Sequence, residues 1–150
     1  MATAAASCAG PAYTPAAASG PRPLGLPDDL DLEADRRTVH HTRSGGGAIV
    51  DRVGLSVRNR SDRPRQLKVT GVDRLHGSCD ALGWDDIRAL TVHEPTRVVQ
   101  VGPAESLGLA VVFEPVECYN ACDRFGFRVH VEVDGTPVVV DALLDVEREE

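Results

Sequence analysis

A chain of 150 residues has room for one domain of ordinary size, and with 42% hydrophobic residues it can build a core of its own. Only 4% of the residues are aromatic, so that core must be made of Val, Leu, Ile and Ala, a mixture that favours pleated strands. The net charge of −7, from 23 acidic and 16 basic residues, argues against a nucleic-acid partner, since phosphate-backbone binding needs concentrated positive potential.

Lys68 is the only lysine, and the wealth of Arg, Ala, Gly and Val reads as the coding bias of a high-GC genome. No window reaches the ~18–20 apolar residues of a membrane-spanning helix. The first residues lack the basic and apolar regions of a complete export signal.

In chain order, residues 1–27 are rich in Ala, Pro, Ser and Gly, with too little apolar side chain to offset ordering entropy, and are expected to form a disordered tail or tether. Within it, Ala5-Ala6-Ser7-Cys8 resembles the end of a bacterial lipoprotein signal. That resemblance spans four residues and departs from the pattern where a Leu usually stands; it implies lipid modification of Cys8, the one route by which this chain is expected to reach a membrane.

Residues 28–150 are expected to form a single domain. Leu30 and Leu32 alternate with Asp29 and Asp31, as in a first edge strand or a docking turn. From residue 45 onward the pattern has period 2. In residues 48–58, Val53, Leu55 and Val57 form the inward set. Residues 59–64 (NRSDRP) are turn chemistry, and Leu67, Val69 and Val72 mark a return strand. Leu90, Val92 and residues 98–101 give a strand interrupted by Pro95, which favours an edge position.

Leu107, Leu109, Val111 and Phe113 then alternate with small or polar residues. The clearest alternation places Phe125, Phe127, Val129, Val131 and Val133 inside. Asp134-Gly135 is a type I′ hairpin signal, and Val138, Val140, Ala142, Leu144 and Val146 form the last inward set. About seven strands, turn signals every ~8–15 residues and no amphipathic helix predict an all-β, immunoglobulin-like antiparallel β-sandwich. The Asn-Arg-Ser-Asp turn after Val-x-Leu-x-Val resembles that of many bacterial domains of this kind, a likeness of fold that identifies no family.

If the strands alternate in direction, loops 74–89 and 116–124 share one end of the sandwich, and the turns at Gly102 and Asp134 share the other. The first pair of loops holds Cys79, Cys118, Cys122, His76, Trp84 and Tyr119. Two chemistries compete there. A disulfide from Cys79 to Cys118 or Cys122 would close a loop of roughly 40 residues, contributing about 3–4 kcal/mol, and needs an oxidising compartment. Alternatively, His76-x-x-Cys79 and Cys118-x-x-x-Cys122 supply a Cys₃His set for tetrahedral zinc, in which case the chain is a structural-zinc or metal-delivery domain and a cytoplasmic location is open. Outside that alternative no cofactor is expected.

Other candidates carry less. His40 and His41 point to opposite faces if they lie on a strand, so they do not share one metal; His93 and His130 read as surface residues. Ser44 and the glycines at 45–47 lack the Lys and helix of a phosphate cradle. Cys79 with His76 as base lacks an orienting third group, and Glu114 with Glu117 is one carboxylate pair among many. No catalytic motif is present, so the expectation is a non-enzymatic domain, exported to the outside or the cell surface. It is expected to work as an interaction, adhesion or assembly module on another protein or on further copies of itself. Trp84 and Tyr119 are candidate binding-loop anchors.

Overall fold

The computed structural model describes residues 12–15, 23–34, 39–43, 49–78, 83–115 and 124–147, with side chains for 23–34, 50–78, 83–115 and 126–142. The described residues form eleven strands: β1 (Ala12–Pro15), β2 (Leu30–Ala34), β3 (Val39–Arg43), β4 (Ile49–Asn59), β5 (Arg65–Gly77), β6 (Asp86–Leu90), β7 (Val92–Glu94), β8 (Val99–Val101), β9 (Ser106–Phe113), β10 (Arg124–Val133) and β11 (Thr136–Glu147).

All pairings are antiparallel and fall into two sheets. One runs β1-β11-β10-β5-β6, with β8 also on β5; the other runs β2-β4-β9-β7, with β3 also on β4. Setting the short flanking strands aside, the orders β2-β4-β9-β7 and β11-β10-β5-β6 are those of an immunoglobulin-like sandwich.

The inward faces follow the period-2 pattern. Val53, Leu55 and Val57 of β4 and Val111 and Phe113 of β9 meet Phe127, Val129, Val131 and Val133 of β10 and Val138, Val140 and Ala142 of β11 in one buried cluster. Phe113 and Phe127 touch edge to face across the two sheets, their centroids 4.7 Å apart. The hairpin joining β10 to β11 has the positive φ that a type I′ turn requires, 49° at Asp134 and 85° at Gly135.

Strand number and boundaries differ from the sequence expectation for identifiable reasons. The stretch expected to form one interrupted strand, from Leu90 to Val101, holds only the last residue of β6 and then β7 and β8, because the chain leaves the β5 edge, joins β9, and returns to β5 lower down. Thr91 is the switch point: its N–H donates to Glu114 Oε2 (2.6 Å) and its carbonyl accepts from Glu114 N (2.9 Å). A register shift between His130 and Val131 sets an extra residue into β5 near Thr70, so the inward set runs Leu67, Val69, Val72 rather than in strict alternation.

The amino-terminal part of the chain also contributes. Leu30, Leu32 and Ala34 of β2 are buried against the core, as the alternation suggests. Leu26 is buried too, and Ala12–Pro15, within the stretch read as a tail, pairs along residues 144–147 of β11. Backbone pairing with an open edge requires no apolar side chain, which is why composition alone is silent about it.

Candidate functional site

The sandwich has two chemically different ends. The first holds the turns after β4, β8 and β10 and the entry to β2, and polar side chains close it internally. Asn59, fully buried at the end of β4, donates its amide to the carbonyls of Arg63 (2.8 Å), Val101 (3.1 Å) and Gly102 (3.1 Å). Its Oδ1 accepts from Ser61 N (3.0 Å) and Ser61 Oγ (2.6 Å). This one side chain therefore ties the turn after β4 to the turn after β8.

Beside it Arg65, buried at the start of β5, donates to Asp134 Oδ2 (2.9 Å) and to Asp29. Asp134 Oδ1 in turn accepts from Gln66 N (3.0 Å). Burial pushes the Asp134 carboxyl up, but the bonds from Arg65 and Gln66 outweigh it, leaving the carboxyl below its ordinary value. The hydrogen bond to Asp134 raises the Arg65 guanidinium above its own. Arg60 adds bonds to Asp31 and to the Asp28 carbonyl. Every turn at this end is held by another.

The second end is where loops 78–85 and 114–123 emerge, as the alternating strand directions predict. Gly77, last in β5, lies opposite Arg124, first in β10, and His76 lies opposite both Phe125 and Asp86. The hairpin from β5 to β6 is pinned at its base, with Asp85 N donating to His76 O (2.7 Å) and Ser78 N donating to Asp85 Oδ2 (2.8 Å). The loop expected over residues 74–89 is thus shorter, since 74–77 and 86–89 are paired strand. Trp84, half-buried, is carried on this pinned base next to Asp85.

Under the loops the interior becomes polar. Asp51 lies opposite Phe113 in β4 and is fully buried; Arg74 lies opposite Phe127 in β5 and is 3% exposed. Arg74 donates to Asp86 of the neighbouring strand. Two buried ionisable side chains therefore flank the pair of phenyl rings. Sequence reasoning missed both. Asp51 was legible, since it shares the parity of Val53, Leu55 and Val57, whereas Arg74 reaches the inward face only through the extra residue near Thr70, signalled by Gly71 inside a strand pattern.

The outer face beside this end carries an apolar strip. Leu75 lies opposite Ile87 on one side and Gly126 on the other; Leu75 and Gly126 are buried, while Ile87 is 51% exposed. Toward the middle of the sheet the same face is charged: His130 Nε2 lies 2.7 Å from Asp73 Oδ2, and Arg128 binds Asp141 through Nε (2.8 Å) and Nη2 (3.1 Å). The bond to Asp141 raises the Arg128 guanidinium.

Of the residues singled out from sequence, His76 and Trp84 are brought to this end. Cys8, Cys79, Cys118, Cys122, Tyr119, Glu117 and the 44–47 segment lie outside the described residues, as do the side chains of His40 and His41. His130 faces outward as expected and His93 is exposed on β7. Glu114 is engaged with Thr91, whose backbone N–H holds its carboxyl below the ordinary value. His76 occupies a register position of opposite parity to Leu75 and Gly77, and thus the opposite face of β5. Among the described residues no three His, Cys, Asp or Glu side chains gather as a metal site, and no helix is long and apolar enough to cross a membrane.

No family model matches the chain, and no curated protein matches it. Among solved structures, the X-ray structure of Northeast Structural Genomics Consortium target SoR45 is similar over 83% of this chain and 88% of its own, at 7% identity and a TM-score of 0.39. A likeness that distant carries no argument about family or activity.

Proposed function

We propose that the protein is a non-catalytic, exported bacterial β-sandwich that acts as an interaction, adhesion or assembly module, and that it binds another protein, or a further copy of itself, through the loop end. The observation that carries this reading is the contrast between the ends. At the turn end the polar groups are spent on one another, through Asn59, Arg65 and Asp134. At the loop end a half-buried tryptophan sits on a pinned hairpin, three residues ahead in sequence of the exposed Ile87, which lies opposite the buried Leu75. Rigid strands presenting an aromatic and an aliphatic side chain beside loops suit protein recognition.

A photo-reactive amino acid placed at position 87 in the producing cell tests this. An adduct with a second protein, or with a second copy, is the expected result. Absence of adducts at 87, or the same adducts from position 62 at the turn end, overturns it. Export is tested separately, by counting free thiols in denaturant on protein taken directly from the cell. An oxidised pair is expected, and fully reduced thiols with stoichiometric zinc contradict it in favour of the metal-binding alternative.

A further inference from the structure

We infer that β6 is a pairing edge for a second copy of this chain, joined antiparallel about a two-fold axis at Ile87; this rests on the interaction-module reading and deepens it by naming the partner and the mode. β6, Asp86–Leu90, ends its sheet, and among the described residues no strand pairs with its outer edge. Such an edge offers a row of backbone N–H and C=O groups that another strand can take up. Asp86, Ile87, Arg88 and Ala89 are all exposed on it.

The order of these residues selects the partner. Antiparallel pairing about Ile87 sets Ile87 opposite Ile87 of the second copy, and equal steps to either side set Asp86 opposite Arg88 twice, once in each direction. Facing positions share a side of the sheet, so one aliphatic pair is flanked by two pairs of opposite charge, both of which stabilise a cross-strand contact. Within each copy Ile87 lies opposite Leu75 and Leu75 opposite Gly126, so the apolar row runs on across the axis. Asp86 also accepts from the buried Arg74 of its own chain, which positions a carboxylate able to accept further bonds. The other terminal strands lack this self-complementarity. On β2 the same operation about Leu32 sets Asp31 against Glu33, while β1 ends on Pro15 and the three-residue β7 runs into Pro95, and proline has no N–H to donate. A seam of five residues is small beside the ~1,600 Å² of a standard interface, so the dimer is expected to be weak and to dissociate on dilution.

The full chain, carrying an aliphatic diazirine residue at position 87, is purified, mixed with heavy-isotope-labelled copies of itself, concentrated and irradiated. Mass spectrometry is expected to find a mixed-isotope dimer whose link lies within residues 86–88 of the other copy. Sedimentation of the parent over a dilution series is expected to show a monomer–dimer equilibrium. It weakens roughly tenfold in Arg88→Glu and in Asp86→Arg, and recovers when the two variants are mixed, because the mixed pair again sets opposite charges face to face. Arg88→Glu keeps the bond from Arg74 to Asp86, and circular dichroism checks that each variant is folded. A parent that stays monomeric at the highest concentration, links that land elsewhere on the second copy, or no recovery on mixing overturns the pairing. If position 87 captures a different protein in the producing cell while the purified chain stays monomeric, the pairing fails and the interaction reading stands.

Discussion

Replacing Asn59 tests how the turn end is held. The amide supplies two hydrogens shared among three carbonyls, one of them on the fully buried Val101, and its oxygen accepts two bonds from Ser61. A net hydrogen bond contributes about 1 kcal/mol, and a buried carbonyl that loses its donor costs about 1–3 kcal/mol. Asn59→Ala is therefore expected to lose about 2–4 kcal/mol, a large part of the roughly 5–15 kcal/mol that holds a domain together. Asn59→Asp keeps the shape but turns the donor into an acceptor facing three carbonyls.

The introduced carboxyl titrates higher in the folded chain than in the unfolded one, so the native state holds the extra proton. Its penalty is smallest below about pH 4, the unfolded value, and grows as pH rises through the folded value. Urea denaturation at pH 4 and pH 7 reads both effects, with an unchanged m-value confirming that the unfolded state is the same. A loss under about 0.5 kcal/mol for Asn59→Ala, or an Asn59→Asp deficit independent of pH, refutes the reasoning.

Two further outcomes follow from the packing and the charges. Phe127→Ala removes one face of the contact with Phe113 at the centre of the sandwich and is expected to cost about 3–5 kcal/mol by thermal or chemical unfolding, with no loss of the all-β circular dichroism at low temperature. The Asp134 carboxyl has a folded pKa below its unfolded one, so its contribution is present above about pH 4 and is lost as pH falls through the folded value. Because Asp134 is 39% exposed, solvent screening holds that contribution to about 1 kcal/mol or less; Asp134→Asn, which keeps the positive φ, is expected to flatten the acid limb of the stability profile, and an unaltered limb contradicts this.

The alternation carried most of the sandwich. Val53 to Val57, Phe127 to Val133 and Val138 to Ala142 are buried as their period-2 spacing requires, and Asp134-Gly135 turns as its chemistry demands. What the pattern does not contain is the choice of sheet. Residues 90–101 read as one broken strand because their side chains do not encode that β6 and β8 join one sheet and β7 the other. The extra residue near Thr70 inverts the faces of upper β5, which hid Arg74 and placed His76 by counting in a loop where it is the penultimate residue of a strand. That the strand ends bounding the two loops, Gly77 and Arg124, fall at one end was legible, because strand direction alone fixes it. Asn59 was read as turn chemistry, but its role as a buried tie to Val101 and Gly102 depends on contacts more than 40 residues away.

The two ends of the sandwich are assigned different work, closure at the turns and recognition at the loops. The direct measurement is the yield of adducts from a photo-reactive residue at position 87, compared between chains carrying Asn59→Ala and Trp84→Ala at a temperature where both are folded. The yield is expected to persist in the first, whose change weakens the fold at the far end, and to collapse in the second, whose change removes the aromatic three residues before Ile87 on the same hairpin. Persistence with Trp84→Ala together with loss in Asn59→Ala would contradict the assignment of recognition to the loop end.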